Sequence, residues 1–127
     1  MYRILLNEPD AAIATAIRVV LERNGYAVDV LSEADDLRAR DLVSYAAIII
    51  DAHREGRRGL DIIEWVHREK GELLARVVVI TGDDPEAIRE ALRSQDVCEV
   101  VIKPVSLPEI VRAVQECLEK NPAMALN

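Results

Sequence analysis

The sequence contains only two cysteines, Cys98 and Cys117, which lie far apart along the chain. No C-x-x-C motif and no grouping of cysteine with histidine accompanies them, so the pattern predicts neither a zinc site nor a disulfide framework. A reducing compartment such as the cytosol suits isolated cysteines of this kind best.

Long apolar runs are also missing. No run approaches the roughly 18 residues that are needed to span a membrane. The N-terminal stretch "MYRILLNEPD" lacks the long apolar core and the small-residue cleavage site of a signal peptide. We therefore expect a soluble cytoplasmic protein that makes no contact with a membrane.

Basic residues are outnumbered, with 16 Lys and Arg against 23 Asp and Glu, and the formal net charge is -7. A chain of this charge repels a phosphate backbone and has no basic patch that could release counterions from it. Direct binding to nucleic acid is therefore not expected.

The 127 residues are 50% hydrophobic, which is enough to form the core of one domain. Short β-branched runs alternate with longer stretches of helical period, a pattern typical of repeated β-α units. The predicted strands are "YRILL", "AVDVL", "AAIII", "VVVI" and "EVVI". We predict an α/β fold: a single doubly wound three-layer sandwich with a five-stranded parallel sheet and five helices, covering residues 1–120 and followed by a tail at 121–127.

Helix-boundary signals accompany these runs. The first helix is predicted to end before Gly25, at a position typical of a left-handed residue. Ser32 opens an S-x-x-D signature for the second helix, whose inner face would include Leu37, Leu42 and Val43. Asp84 is predicted to cap the fourth helix, and the last helix opens with the capping box Ser106–Glu109 and ends near Lys120.

Polar residues follow four of the five predicted strands: Glu8, Asp51, Thr81 and Lys103. Open parallel sheets bind ligands beyond the carboxyl ends of their strands, so these side chains are the candidate site. A phosphoryl group on Asp51 would need a divalent cation held by oxygen ligands, a positive partner and a hydroxyl donor. Glu8, Lys103 and Thr81 are of these types, and no glycine-rich nucleotide-phosphate loop is present.

This set resembles the response-regulator receiver domain, and the resemblance covers residues 2–120. Thr81 lies 30 residues and Lys103 lies 52 residues beyond Asp51, as the family pattern requires. The matching positions are Asp51, Gly59, Thr81, Lys103 and Pro104.

The resemblance implies the strand order 2-1-3-4-5, with Asp51 as phosphoacceptor, Thr81 as a ligand of the phosphoryl oxygens and Lys103 as the partner of the acyl phosphate. It also implies a cis peptide bond before Pro104, assistance by Mg²⁺, and a histidine kinase or phosphotransfer protein as donor. Such a domain is a signalling module that catalyses only its own phosphorylation and dephosphorylation, and it acts on a downstream protein partner or output domain.

Two departures from the family pattern concern the metal site and the conformational switch. Receivers usually carry two acids after the first strand, but here Glu8 is followed by Pro9, which has no side-chain ligand. Asp10 could substitute as a metal ligand, although a helix N-cap is the favoured interpretation. Val100 occupies the position of the usual aromatic switch residue, and we expect it to be a core residue of its strand.

A further departure is the basic loop after the phosphoacceptor, which contains His53, Arg54, Arg57 and Arg58. His53, two residues after Asp51, and Asp83, two residues after Thr81, occupy positions that tune hydrolysis of the acyl phosphate in this family. Solvent exposure without a role is the alternative for a lone loop histidine.

Three hypotheses follow. The first is a phosphoacceptor receiver, with output through the face formed by the fourth helix, the fifth strand and the fifth helix. The second is a pseudo-receiver that binds a protein partner without phosphorylation, a hypothesis motivated by Pro9 and Val100. The third is a flavodoxin-like enzyme, which the missing phosphate loop and the acidic edge disfavour. A homodimer through the last two helices remains open.

Overall fold

The computed structural model describes residues 1–53, 56–92 and 96–121. Within these ranges all five predicted strands are present, each within one residue of its predicted position, and four α-helices accompany them. The strands are β1 (Arg3–Asn7), β2 (Ala27–Leu31), β3 (Ala47–Asp51), β4 (Val77–Thr81) and β5 (Glu99–Ile102). The helices are α1 (Ala11–Arg23), α2 (Arg58–Glu69), α3 (Pro85–Leu92) and α4 (Leu107–Lys120).

The strands form one parallel sheet in the order β2-β1-β3-β4-β5, which confirms the predicted topology. In this register Asn7 is paired with Ile50, and Thr81 is paired with Ile102. The carboxyl ends of the four strands therefore reach the same edge of the sheet, and the residues that follow them are brought together.

Both faces of the sheet are buried under helices. Successive strand residues point to opposite sides, so each strand contributes to a core on either face. Ile48, Ile50 and Val79 belong to a core that includes residues of α2 and α3. Ile49 and Val78 belong to a second core that includes residues of α1 and α4. The three-layer sandwich is thus confirmed, and consecutive apolar residues in the strands are its sequence signature.

The second predicted helix has 3₁₀ form and is split into Ala34–Ala39 and Leu42–Ser44, which are separated by extended backbone at Arg40. Leu37 and Leu42 are buried as predicted, but the predicted inward position of Val43 is wrong, since it is 54% exposed. The break in the helix at Arg40 changes the phase of the side chains that follow. The cap expected at Ser32 is also wrong, because the N-cap position falls on Glu33 and no side-chain cap bond forms there.

The other helix boundaries follow the sequence signals. Asp84 Oδ2 accepts a hydrogen bond from the Ala87 amide at 3.3 Å, and Gly25 adopts a positive φ of 91° after α1. Ser106 is the N-cap residue of α4, as predicted, but its side chain makes no cap hydrogen bond. The helix ends at Lys120, and residues 122–127 of the predicted tail lie outside the described residues.

The cysteine prediction was wrong, because the structure joins Cys98 and Cys117 in a disulfide. Cys98 directly precedes β5, and Cys117 lies on the inner face of α4, so the return of the helix over the strand brings their Cα atoms to 6.0 Å. A pairing that depends on this tertiary return leaves no local motif in the sequence.

Among the described residues, no helix combines the length and the apolar character that crossing a membrane would require.

Candidate functional site

The candidate site lies at the carboxyl edge of the sheet, where four of the predicted residues meet. Asp51 is the last residue of β3 and Thr81 is the last residue of β4. Glu8 follows β1 by one residue, and Lys103 directly follows β5. Glu8, Asp51 and Thr81 are 1%, 7% and 0% exposed, so the site holds polar groups that water largely does not reach.

Lys103 connects the two carboxylates of the site. Its Nζ atom lies 3.2 Å from Oδ1 of Asp51 and 3.5 Å from Oε1 of Glu8. Burial alone would lower the pKa of Lys103, but the contact with Asp51 and the charge of Glu8 outweigh this effect and raise it. The lysine is therefore held in its charged form between two acids.

The backbone of Lys103 is held by the neighbouring strand. Its amide donates a hydrogen bond to the carbonyl oxygen of Thr81 at 2.7 Å, which extends the ladder between β4 and β5 by one residue. The peptide bond between Lys103 and Pro104 is cis, as the resemblance implied.

Glu8 is the most deeply buried acid of the site. Burial, and secondarily the charge of Asp51, raises the pKa of its carboxyl group. Oε1 accepts a hydrogen bond from the Asp10 amide at 3.1 Å, whereas Oε2 has no hydrogen-bond partner among the described residues. Oδ1 of Asp51 also has no hydrogen-bond partner there, although Lys103 Nζ and His53 Nε2 each lie 3.2 Å from it.

Asp10 caps α1, as the favoured interpretation of the sequence predicted. Its Oδ1 accepts hydrogen bonds from the amides of Ala12 and Ile13 at 2.9 and 3.1 Å. Asp10 is exposed, and its carboxylate is engaged by the helix. Pro9, which precedes it, lines the cleft beside Asp51.

His53 contacts the phosphoacceptor candidate directly. Its Nε2 atom lies 3.2 Å from Oδ1 and 3.3 Å from Oδ2 of Asp51, and its side chain is 40% exposed. The sequence indicated the position of His53 but not this contact. The direction of a loop side chain depends on backbone geometry, which residue spacing does not define.

The hydroxyl of Thr81 is oriented by the loop that follows β4. The backbone amide of the half-buried Asp83 donates a hydrogen bond to Thr81 Oγ1 at 3.0 Å. The hydroxyl hydrogen of Thr81 is therefore available to another acceptor. Val100 is half-buried and packs against the edge of the core that contains α2 and α3, so its prediction as a strand core residue holds only in part.

A cleft of about 330 Å³ opens beside Asp51 and is lined by Pro9, His53, Ser32 and Glu33 together with the start of α2. The sequence pattern indicated only a helix start at Ser32, and it gave no sign that this segment borders the site. Ser32 and Glu33 directly follow β2, so they lie at the carboxyl edge of the parallel sheet like the other site residues.

The arginines of the loop pair with other acids. Arg57 contacts Glu64 at 3.0 Å, and Arg58 contacts Glu33 at 2.9 Å, with side chains that are 49% and 70% exposed. They form a solvated basic rim on the cleft. Arg54 lies outside the described residues.

Gly59 lets the start of α2 approach the phosphoacceptor strand closely. A Cβ atom at this position would overlap the carbonyl oxygen of Asp51 and would lie 2.9 Å from the Cα atom of Ala52. The resemblance identified the residue, and the structure supplies the steric reason for it.

Glu8 and Asp51 are the candidate metal ligands. Within the described ranges, no group of three or more His, Cys, Asp or Glu side chains is arranged to hold a metal ion. However, Mg²⁺ typically uses only one or two carboxylates and completes its shell with phosphate oxygens and water. The two buried oxygens without hydrogen bonds, Glu8 Oε2 and Asp51 Oδ1, fit that reduced requirement.

The chain is similar in sequence to a family of known proteins. A sequence model of the family described as "Response regulator receiver domain" matches residues 4–115. The transcriptional regulatory protein ResD of Bacillus subtilis (strain 168) is 26% identical over 119 residues, which are 93% of this chain and 48% of ResD. The transcriptional regulatory protein QseB of Escherichia coli O157:H7 is 30% identical over 127 residues, which are 98% of this chain and 57% of QseB. The chain thus spans about half the length of these curated relatives.

The fold is also found among solved structures. The response regulator protein TrrA of Thermotoga maritima, solved in complex with Mg²⁺ and BeF, superposes with a TM-score of 0.76. The sequence identity is 20%, and the match covers 93% of this chain and 100% of that one. At this identity the similarity establishes the shared flavodoxin-like fold.

Proposed function

This chain belongs to the family of response regulator receiver domains, the signalling modules of two-component systems, and we propose that it accepts a phosphoryl group on Asp51. One observation carries the proposal. Asp51 lines a cleft, and the Lys103 ammonium group lies 3.2 Å from its Oδ1, so a positive charge already stands beside the carboxylate that would be modified.

In the proposed reaction, a carboxylate oxygen of Asp51 attacks phosphorus and the bond from phosphorus to the donor breaks. Lys103 offsets the negative charge that arrives with the phosphoryl group. Thr81 donates its hydroxyl hydrogen to a phosphoryl oxygen, since the Asp83 amide already occupies one of the hydroxyl's acceptor positions. Catalysis of this kind consists mainly of positioning and charge neutralisation.

We further propose that Glu8 and Asp51 hold Mg²⁺ at this edge. The ion, when bound, would neutralise charge on the phosphoryl oxygens. The solved structure of TrrA in complex with Mg²⁺ and BeF is consistent with a metal requirement in a relative of this fold. With Pro9 in place of a second acid, we expect weaker Mg²⁺ binding than an adjacent acid pair would give.

The proposed donor is a histidine kinase or a phosphotransfer protein, and the proposed readout is a downstream protein partner or an output domain. ResD and QseB are named as transcriptional regulatory proteins, and each is about twice as long as the segment matched here. A separate output domain would suit a chain whose formal net charge of -7 does not favour direct binding to nucleic acid.

The direct test is NMR of the full chain with Mg²⁺ and beryllofluoride, a mimic of the phosphoryl group. We expect shifts in the amide resonances of residues near Asp51 and Thr81, and no such response in Asp51→Asn. If wild type gives no shift near Asp51, or responds in the same way as the variant, phosphoacceptance by Asp51 is wrong.

A specific observation also supports a second candidate function, that of an unphosphorylated protein-binding module. Lys103 already lies between the Asp51 and Glu8 carboxylates, 3.2 and 3.5 Å from their nearest oxygens, so the site compensates part of its own charge without an added cation. In this case Asp51→Asn should leave partner binding unchanged in a pull-down with the isolated partner. A strong effect of that substitution would count against the module.

A further inference from the structure

Two cysteines from different elements meet at the end of the sheet opposite the candidate site. The Cys98 amide donates a hydrogen bond to the carbonyl oxygen of Val77 at 2.8 Å, which fixes its backbone beside the start of β4. Cys117 lies on α4 and is fully buried. The 6.0 Å between their Cα atoms is within the range that a disulfide bridges without backbone movement.

The two cysteine residues differ in exposure. Cys98 is half-buried and lines a cleft of about 330 Å³ together with Arg89, Val97 and Val100. Cys117 packs in the core that contains α1 and α4. An external thiol can therefore approach the bond from the Cys98 side, with Cys117 as the leaving sulfur.

The cross-link joins β5 to the last turns of α4. Beside it, a few side-chain contacts hold this end of the helix. Lys120 Nζ lies 3.9 Å from Glu99 Oε1 with a side chain that is 58% exposed, and exposed pairs of this kind contribute little. Asn121 Nδ2 donates hydrogen bonds to the carbonyl oxygens of Ala75 and Cys117 at 3.1 and 2.7 Å. Opening the disulfide would remove the covalent link and leave these contacts and apolar packing.

We propose that Cys98 and Cys117 form a redox-sensitive cross-link, opened and closed by thiol–disulfide exchange at Cys98, whose state determines how firmly the end of α4 is held against β5. The proposal is independent of phosphorylation at Asp51. It assigns to the chain a modification site at the opposite end of β5 from Lys103.

The exchange reaction balances with a dithiol as reductant. One thiolate of the dithiol attacks Cys98 Sγ, the bond to Cys117 Sγ breaks, and Cys117 leaves as a thiolate that takes up a proton. The second thiol then attacks the mixed disulfide and releases Cys98, so the protein gains two electrons and two protons while the dithiol becomes a disulfide. A low-molecular-weight disulfide such as oxidised glutathione reverses the process and is itself reduced to two thiols.

The first test uses the folded full chain in buffers of defined reduced and oxidised glutathione. The samples are quenched in acid, their free thiols are alkylated, and their masses are measured. We expect both thiols to disappear together in a single two-electron transition and to return when dithiothreitol is added under native conditions. Failure to form the disulfide in excess oxidised glutathione, or failure of native dithiothreitol to open it, would overturn the proposal.

Two variants test the site of attack. Cys117→Ala should form a glutathione mixed disulfide at Cys98, whereas Cys98→Ser should leave the buried Cys117 unmodified as long as the chain is folded, which circular dichroism checks. Cys98→Ser changes a half-buried position, so it serves as the variant that retains the fold if Cys117→Ala does not. Equal modification of Cys117 in Cys98→Ser would show that attack is not directed to Cys98.

The effect on α4 is measured by hydrogen exchange of residues 107–120. We expect the amides around Cys117 to exchange at least about tenfold more slowly in the oxidised protein than in the reduced protein, because the cross-link suppresses local opening. Cys98→Ser in the same two buffers should show no difference. Equal exchange rates in oxidised and reduced wild type would rule out the coupling to α4.

Discussion

The Nζ atom of Lys103 lies 3.2 Å from Oδ1 of Asp51, in an ion pair between side chains that are 22% and 4% exposed. The pair connects the ends of β3 and β5 across β4, so it depends on the strand order. A buried carboxylate without a counter-charge is strongly disfavoured, and the second acid, Glu8, increases this need. Lys103 therefore contributes to stability as well as to the proposed chemistry.

Lys103→Met should lower the free energy of unfolding by about 3 kcal/mol at neutral pH, since removal of one partner leaves buried negative charge uncompensated. Urea denaturation followed by circular dichroism measures the change. The matched control is the double variant Lys103→Met/Asp51→Asn, which removes the charge that Lys103 compensates. It should regain a large part of the loss, and a double variant no more stable than the single one would contradict this account.

Glu8→Gln should become more stable relative to wild type as the pH rises. Burial raises the pKa of Glu8 above its ordinary value of 4.5, so the folded state holds a proton that the unfolded state has released. The contribution of Glu8 to stability therefore decreases as the pH rises from about 4.5 through the raised value. Glutamine has no such titration.

The measurement for Glu8→Gln is the difference in unfolding free energy between variant and wild type at several pH values from 4 upward, at constant salt. The exposed Glu22, paired with Arg18 at 3.0 Å, supplies a control as Glu22→Gln. Parallel curves for Glu8→Gln and wild type across this range would show that burial of Glu8 does not affect its titration.

The fold was largely predictable because its signals are local. Consecutive apolar residues in "AAIII" and "VVVI" indicated strands that are covered on both faces, and Gly25 and Asp84 indicated helix ends. One exception was Val43, whose predicted inward position required one continuous helix. The helix is interrupted at Arg40, and helical periodicity does not reveal such a break.

The sequence predicted which residues lie at the site, but it did not predict the contacts that they make. The ends of parallel strands meet at one edge, so the neighbourhood of Glu8, Asp51 and Lys103 follows from the topology. The approach of His53 to Asp51 depends on a loop conformation, and the pairing of Cys98 with Cys117 depends on how α4 returns over β5. Neither geometry is encoded in residue spacing.

Gly59→Ala should destabilise the protein by about 2–3 kcal/mol, since a methyl group there would overlap the Asp51 carbonyl oxygen and force either α2 or the end of β3 to move. Urea denaturation measures the loss. Gly71→Ala is the matched control, because a Cβ atom at that position meets nothing within 4 Å. The control should change stability by less than about 1 kcal/mol in either direction. Equal effects of the two substitutions would show that the close approach at Gly59 is not limiting.

Asp10→Ala should lower stability by about 1 kcal/mol, the usual cost of losing an N-cap side chain that accepts backbone hydrogen bonds. Ser106→Ala is the contrasting variant. Ser106 occupies the N-cap position of α4 without a side-chain cap bond, so its replacement should cost less than about 0.5 kcal/mol. Similar losses in both variants would indicate that the bonds to Ala12 and Ile13 do not stabilise α1.

Asp10→Asn separates the cap role from the metal role that the sequence left open for this residue. Asparagine caps helices about as well as aspartate, so stability should be retained within about 0.5 kcal/mol. A neutral amide is a much poorer Mg²⁺ ligand than a carboxylate. If Asp10 only caps α1, the NMR response of residues near Asp51 to Mg²⁺ should match that of wild type. A weakened response in a variant of unchanged stability would instead assign Asp10 to the metal site, as the substitute for the acid that Pro9 replaces.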